Sequence, residues 1–346
     1  LFCHVSMATD IDREYANSLT YANGLAGETV RNMCFDHYGQ IWFATGVGLT
    51  VFNGVRSHSY RFYSEKLKQN AKVYDVCEGL NHSIFVGTNS GLYELKYGHD
   101  TFENVVSDIG NLENLFADEH MLYLGASDGL FLYDGKKVRK VNMGKRAKLD
   151  YLPRHFVRDD KGNVWFDTRY SLCCYYPETG KLDSWQVTKH MPYNSFLAKF
   201  TISGNKAFIG TTSNGVFCMD LRSKQIHQIP GVGGMISSIE VVDGTTLYIA
   251  TKGDGVYVLD ANTEKILSHH GTMGKGKTFL PTNRVESFMQ DGNGVNWYGL
   301  ARYGAVYTYY QSNLFKTYSY GTFSTCDIDI YGFCKNGAER LIGLKN

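Results

Sequence analysis

The octapeptide GTMGKGKT at 271–278 matches G-x-x-x-x-G-K-[ST] at each fixed position: Gly271, Gly276, Lys277 and Thr278. In that pattern the N–H groups of a glycine loop cradle phosphates and the lysine neutralises them, which would be nucleotide chemistry. It needs a helix leaving the loop, whose N-terminus supplies aligned donors. Pro281 and the apolar continuation RVESFMQD disfavour a helix at Thr278. A glycine-rich connection bearing Lys275 and Lys277 is the expectation instead. GASDG, with Gly125, Ser127 and Gly129, fits the G-x-S-x-G of a nucleophile elbow. That elbow requires a strand-to-helix turn with Asp and His partners. Here GTNSG fills the same place one unit earlier, so a turn between strands is expected. His269 and His270 stand together without a further ligand at metal spacing, so no metal site is expected there.

Which chemistry survives depends on the elements that carry these residues, and those repeat. In chain order come IWFATGVGLTVF, IFVGTNSGLYEL, LYLGASDGLFLY, VWFDTRYSLCCY, AFIGTTSNGVFCM, LYIATKGDGVYVL and NWYGLARYGAVYTY. Each is an apolar run, a small residue or Asp, a short polar turn and a second alternating strand. The anchors Ala44, Gly87, Gly125, Asp167, Gly210, Ala250, Gly299 and Gly343 are 43, 38, 42, 43, 40, 49 and 44 residues apart. Periods of about 40–50 residues with this pattern are those of propeller blades. Upstream of each anchor lies another apolar strand and a tight turn. Three of these turns read D-x-x-G-x-x-W: Asp36 to Trp42, Asp159 to Trp165 and Asp291 to Trp297. Outer strands follow in HSYRFY, KLDSWQV, KILSHH and FKTYSY.

The expectation is an all-β, seven-bladed β-propeller of four-stranded antiparallel blades over residues 29–320. Residues 1–28 form a lead-in that could supply a ring-closing strand, and 321–346 start an eighth repeat belonging to a further module. Either FKTYSY or LFCHVS supplies the outer strand of blade seven; an eight-bladed ring completed by residues 1–28 is the alternative. Composition agrees: aromatics reach 14%, glycine 37 residues and proline only 5, which suits short strands and turns. Lys plus Arg number 35 against 34 Asp plus Glu, so no global charge points to nucleic acid or an acidic membrane. No run is long enough for a membrane helix, and the N-terminal residues lack a signal-peptide pattern. The eight cysteines show no C-x-x-C pairing and sit in apolar segments, as buried thiols do.

The stretch VRNMCFDHYGQIWFATGVGL, preceded by NGLAGE, resembles the two-component regulator propeller repeat. The fit extends over nearly the whole chain and departs at Asp167 and Ser171 in blade four and at Leu300 in blade seven. The resemblance implies the periplasmic sensor region of a membrane-bound hybrid histidine kinase and response regulator. There, two propellers and a β-sandwich of one chain precede the membrane, and the full receptor is a homodimer. It implies detection of glycan-derived oligosaccharides, control of carbohydrate-utilisation genes, and no catalysis or cofactor in this region. The D-x-x-G-x-x-W turns are similar to the sialidase Asp-box, S-x-D-x-G-x-x-W, but lack its Ser and differ in spacing. A propeller glycosidase or lyase, or a protein-interaction scaffold, is the alternative reading; the chain holds no Trp-Asp dipeptide of the WD40 kind.

In a four-stranded blade, the turn between strands two and three shares a face with the passage into the next blade. On that face lie Arg154, His155, Arg169, Tyr170, Tyr193, Asn194, Lys252, Asp254, Arg284, Arg302 and Tyr303. The ligand-binding candidates are Arg154, Arg169, Tyr170, Tyr193, Arg284, Arg302 and Tyr303. Tyrosine can stack on a sugar face and arginine can fork a carboxylate or sulfate. The alternative for these residues is surface charge and packing against a neighbouring propeller or a dimer mate.

Overall fold

The computed structural model describes residues 2–4, 14–143, 152–272, 280–310, 329–336 and 339–345. Seven four-stranded sheets follow one another along the chain. Blade one is Asn32–Phe35, Ile41–Ala44, Leu49–Phe52 and Ser57–Tyr60. Blade two is Val73–Glu78, Ile84–Thr88, Gly91–Leu95 and Glu103–Val106. Blade three is Leu112–Ala117, Leu122–Ala126, Gly129–Tyr133 and Val138–Lys140. Blade four is Arg154–Arg158, Val164–Asp167, Leu172–Tyr176 and Lys181–Trp185. Blade five is Leu197–Ser203, Lys206–Thr211, Val216–Asp220 and Ile226–Gln228. Blade six is Ile236–Val242, Thr246–Thr251, Val256–Asp260 and Ile266–His270. Blade seven is Val285–Gln290, Asn296–Leu300 and Gly304–Tyr310, with Glu14–Leu19 as its outer strand.

The first strands of successive blades lie side by side, and that of blade seven lies against that of blade one. The ring is therefore closed, and its first strands line the axis. The closing strand comes from within residues 1–28, but it is neither LFCHVS nor any stretch singled out in the sequence. Glu14–Leu19 takes the outer place in blade seven, whereas Phe2–His4 pairs with Glu339–Lys345 in a separate three-stranded sheet with Asp329–Asn336. FKTYSY lies outside the described residues. EYANSL escaped recognition because an outer strand needs little apolar surface: Ala16, Asn17 and Ser18 are exposed and Leu19 alone is seen to be buried.

The core is divided into seven apolar layers, one between each pair of neighbouring blades. Alternation in the second strands feeds two layers at once. Trp42 and Ala44 pack toward blade two, while Phe43 and Ile41 pack toward blade seven. The anchor sits where the next blade begins. A Cβ on Gly125 would lie 2.2 Å from the Pro153 carbonyl oxygen, and one on Gly87 2.7 Å from that of Leu112. Gly299 meets the Val30 carbonyl in the same way, at 2.9 Å. The small residues are thus contact points between blades.

The D-x-x-G turns are closed by their own carboxylates. Asp36 Oδ1 accepts from the N–H of Tyr38 (3.0 Å) and Gln40 (2.9 Å), and its Oδ2 from the Trp42 indole at 2.9 Å. Asp159 repeats this with Lys161, Asn163 and the Trp165 indole at 2.8 Å. Burial would raise the Asp159 carboxyl, but these donors hold it below the usual range. Asp291 binds the Asn293 and Val295 N–H groups, yet Trp297 Nε1 is buried without a hydrogen-bond partner among the described residues. Blade three builds the same device one residue shorter, with Tyr123 donating its hydroxyl to Asp118 at 3.0 Å.

Two outcomes follow. Asp36→Ala and Asp159→Ala each lose a charge-assisted bond to a buried indole and should cost about 2 kcal/mol in urea unfolding. Asp291→Ala should cost less, and equal losses for all three would contradict the assignment. Gly125→Ala forces a methyl group against the Pro153 backbone and should cost about 1–3 kcal/mol; wild-type stability would show that the blades can separate there.

Candidate functional site

At the start of each first strand, in blades two to seven, the ladder to the second strand skips a residue. The skipped residues are Tyr74, Glu113, His155, Ala198, Ser237 and Glu286. Such bulges re-aim side chains. Arg31 holds the same place in blade one, just before Asn32, which pairs with the anchor Ala44. All seven line a single cavity of about 540 Å³. Thr29, Asn114, Arg154, Lys199, Thr212 and Lys252 complete most of its wall. One pocket therefore receives a different side chain from each blade, at the axial mouth on the face of the second-to-third-strand turns.

The pocket is rich in cations. Lys252 pairs with Glu286 at 2.9 Å. Burial raises the Glu113 carboxyl, and Arg154 and Arg31 pull it back. Arg154 Nη2 donates to the Leu197 carbonyl at 2.9 Å and faces Asp167 Oδ2 at 3.2 Å, an ion pair without a well-directed hydrogen bond. Asp167 occupies the anchor position of blade four, where other blades carry Gly or Ala, and it is fully buried. His155 lies 2.8 Å from its other oxygen, through Nδ1. In this blade the bulge slips by one residue, so Arg154 pairs with Asp167 and His155, at φ 37°, is the residue skipped.

Below this ring the axis stays polar. The Asn32 amide and the Val76 and Leu115 N–H groups all bond Asp75. Burial pushes the Asp75 carboxyl up to about 6 against those bonds. Lys199 is lowered by burial and held up by Asp75, Asp167 and Glu240. Glu240 keeps solvent-accessible surface, yet the protein around it pushes its carboxyl up to about 7, with Lys199 opposing.

Of the seven candidates read from sequence, Arg154 lines this pocket. Arg169 is exposed and its guanidinium lies 4.0 Å from the centre of the Phe196 ring, which Tyr170 meets edge-on at 5.4 Å. Tyr193 and Tyr303 are 93% and 51% exposed. Arg302 is exposed with φ 67°, its N–H bonded to Thr29 Oγ1 at 3.1 Å. Arg284 is exposed and bridges backbone to backbone with Lys252. Thus these six stand around the pocket and outside its wall. Arg31, Tyr74, Glu113, Lys199 and Glu286 were not singled out. For Arg31, Tyr74, Glu113 and Glu286 the signal was present as the one position of the first strand that changes character from blade to blade, and Lys199 stands one residue further on, opposite the anchor Gly210. The Lys275 and Lys277 loop lies outside the described residues; its start is held by Asn283, which accepts from Thr272 N–H at 2.8 Å. The first strand after it is Val285–Gln290, so among the described residues the loop joins two strands.

With that geometry, comparison with other proteins becomes specific. Residues 24–46 match the two component regulator propeller family model, so blade one carries that repeat. The fold is similar to the extracellular domain of BT4673 from B. thetaiotaomicron, assigned to a hybrid two component system. The TM-score is 0.69 at 20% identity, over 87% of this chain and 40% of that one. The corresponding domain of BT3049 from the same organism gives 0.69 at 19% identity, over 95% and 46%. A streptogramin B lyase structure gives 0.67 at 11% identity, over 86% and 98%. The chain thus spans less than half of the two receptor domains it resembles. No curated protein matches it in sequence.

Burial lowers His155 to about 4, with Lys199 adding to the effect and Asp167 opposing it. It is therefore neutral in the fold and donates Nδ1–H to the carboxylate. A depressed imidazole contributes stability that is present above its unfolded value near 6.5 and is lost as pH falls toward about 4. Asp75 and Glu240, raised, act in the opposite sense, favouring the fold at low pH and losing that contribution as pH climbs through about 6 and 7. In nitrogen-resolved NMR, the His155 imidazole should stay neutral down to about pH 4; titration near its ordinary value would overturn the assignment. His155→Gln should remove the imidazole's share of the acid destabilisation.

Proposed function

We propose that this chain is the ligand-sensing propeller of a periplasmic receptor region belonging to a membrane-bound hybrid histidine kinase and response regulator. One observation carries the reading: a repeating scaffold sends a non-repeating set of polar side chains into a single axial pocket. A scaffold needs no such convergence, whereas recognition of a small polar molecule does. The ligand class is a glycan-derived oligosaccharide with an anionic group. Arg31, Arg154 and Lys199 meet the charge, and Tyr74 with the rim aromatics Tyr170, Tyr193 and Tyr303 offers stacking faces. Arg169, Arg284 and Arg302 extend the basic rim.

In this reading the region binds and does not catalyse. Phosphotransfer belongs to cytoplasmic domains beyond these residues, and occupancy controls carbohydrate-utilisation genes. The hairpin of Asp329–Asn336 and Glu339–Lys345 is read as the start of the next propeller, which with a β-sandwich of the same chain forms the neighbouring partner. The full receptor is taken to be a homodimer. The repeat match supports this over the lyase neighbour; the likeness to the receptor domains and to the lyase, at 20% identity or less, carries fold alone.

A thermal-shift screen against neutral, carboxylated and sulfated oligosaccharides tests it, since a ligand that binds only the folded form raises the melting temperature. A hit among the anionic set, weakened by roughly tenfold or more in Arg31→Ala and Arg154→Ala, is expected (about 1.4 kcal/mol per tenfold). Absence of any shift, or cleavage of a sugar during incubation, would sink the proposal.

A further inference from the structure

The opposite face of the propeller carries a second constellation, independent of the axial pocket. His37 follows Asp36 in the turn of blade one, a position that Asp160 and Gly292 take in the two sister turns, so the fold itself does not demand histidine there. Glu78 ends the first strand of blade two. His82 closes the short helical turn Leu80–His82, where Asn81 and His82 have φ of 53° and 60°. This left-handed pair folds the His82 ring back over Glu78. His37 Nδ1 lies 2.5 Å and His82 Nδ1 3.1 Å from the same oxygen, Glu78 Oε1. The two rings lie against each other, tilted by 36° with centroids 4.1 Å apart, and Tyr38 also meets His37 with centroids 3.9 Å apart.

Two imidazole nitrogens and a carboxylate oxygen, all within 4.8 Å of one another, form an N₂O donor set. Ligands about 2.1 Å from a tetrahedral ion lie about 3.4 Å apart, within the span these three atoms already cover, so side-chain rotations can bring them around one ion. We infer that His37, Glu78 and His82 bind a late first-row divalent cation of the Zn²⁺ class and clamp blade one to blade two. Imidazole nitrogen selects such ions over Mg²⁺, which prefers a shell of oxygens. Solvent access is in place, because Glu78 and His82 also line a cavity of about 600 Å³ with Asp118, Glu119 and Arg158. A second group, Cys218, His227 and Glu264, is the weaker candidate. There Lys206 already places its ammonium 2.7 Å from Glu264, and burial pushes the Cys218 thiol up to about 12, away from the thiolate a metal needs.

The test uses tag-free protein stripped of metal, titrated calorimetrically with ZnCl₂ and unfolded thermally with ZnCl₂ or MgCl₂. One equivalent of Zn²⁺ should bind and raise the melting temperature, and Mg²⁺ should do neither. His82→Ala removes a side chain that is 62% exposed and should leave folding intact. It and Glu78→Gln should weaken Zn²⁺ by at least about tenfold, while His190→Ala, which removes another exposed histidine, should bind it as wild type does. No binding, or undiminished affinity in both His82→Ala and Glu78→Gln, would overturn the assignment.

Discussion

Everything in this molecule depends on how closely one blade can approach the next. The closest point is between the anchor residue at the end of a second strand and the backbone that opens the following blade. At Gly87, Gly125 and Gly299 there is no room for a Cβ beside the facing carbonyl oxygen. That approach brings the apolar layers between blades into contact, and each layer is shared, so no blade has a core of its own. Stability is then a property of interfaces, as in other repeat architectures where each unit buries its face on a neighbour.

The same constraint generates the pocket. Where the chain passes an anchor in blades two to seven it leaves the ladder for one residue, and the residue released turns toward the axial pocket. With Arg31 of blade one, seven such positions meet at the axis. Blade four departs most clearly. It replaces the small anchor with Asp167, one of whose oxygens accepts from His155 while the other faces Arg154, and its bulge slips by one residue. Low permittivity on the axis is why Asp75, Glu240, Lys199 and His155 are all shifted toward their neutral forms.

Blade number, strand order and turn positions were legible because they follow from hydrophobic alternation and glycine turns, both local properties. The Asp-to-Trp spacing was legible too, although its reason, a carboxylate beneath an indole, needed coordinates. Glu14–Leu19 was not legible, since an outer strand can be almost wholly polar. The pocket was legible by face but not by depth. Large exposed residues such as Tyr193 and Arg302 attract attention in a turn, while Tyr74 and Glu113 look like ordinary alternation inside strands. The histidine–glutamate cluster joins residues 41 and 45 positions apart from His37, beyond any spacing rule.

Blade seven takes three strands from one stretch and its outer strand from near the beginning of the sequence, with Leu19 backbone meeting Gly304. During synthesis the first segment must therefore wait until some 290 residues later before its partner exists. Until then Gly304–Tyr310 and Glu14–Leu19 both offer open hydrogen-bonding edges, and such edges template pairing between chains. This closure ties the last blade to the first by the longest loop in the ring, a contact that is slow to form. The ring therefore closes late and as a whole, so a nick or shortening near residue 14 is felt at the far end of the chain as well as at its own.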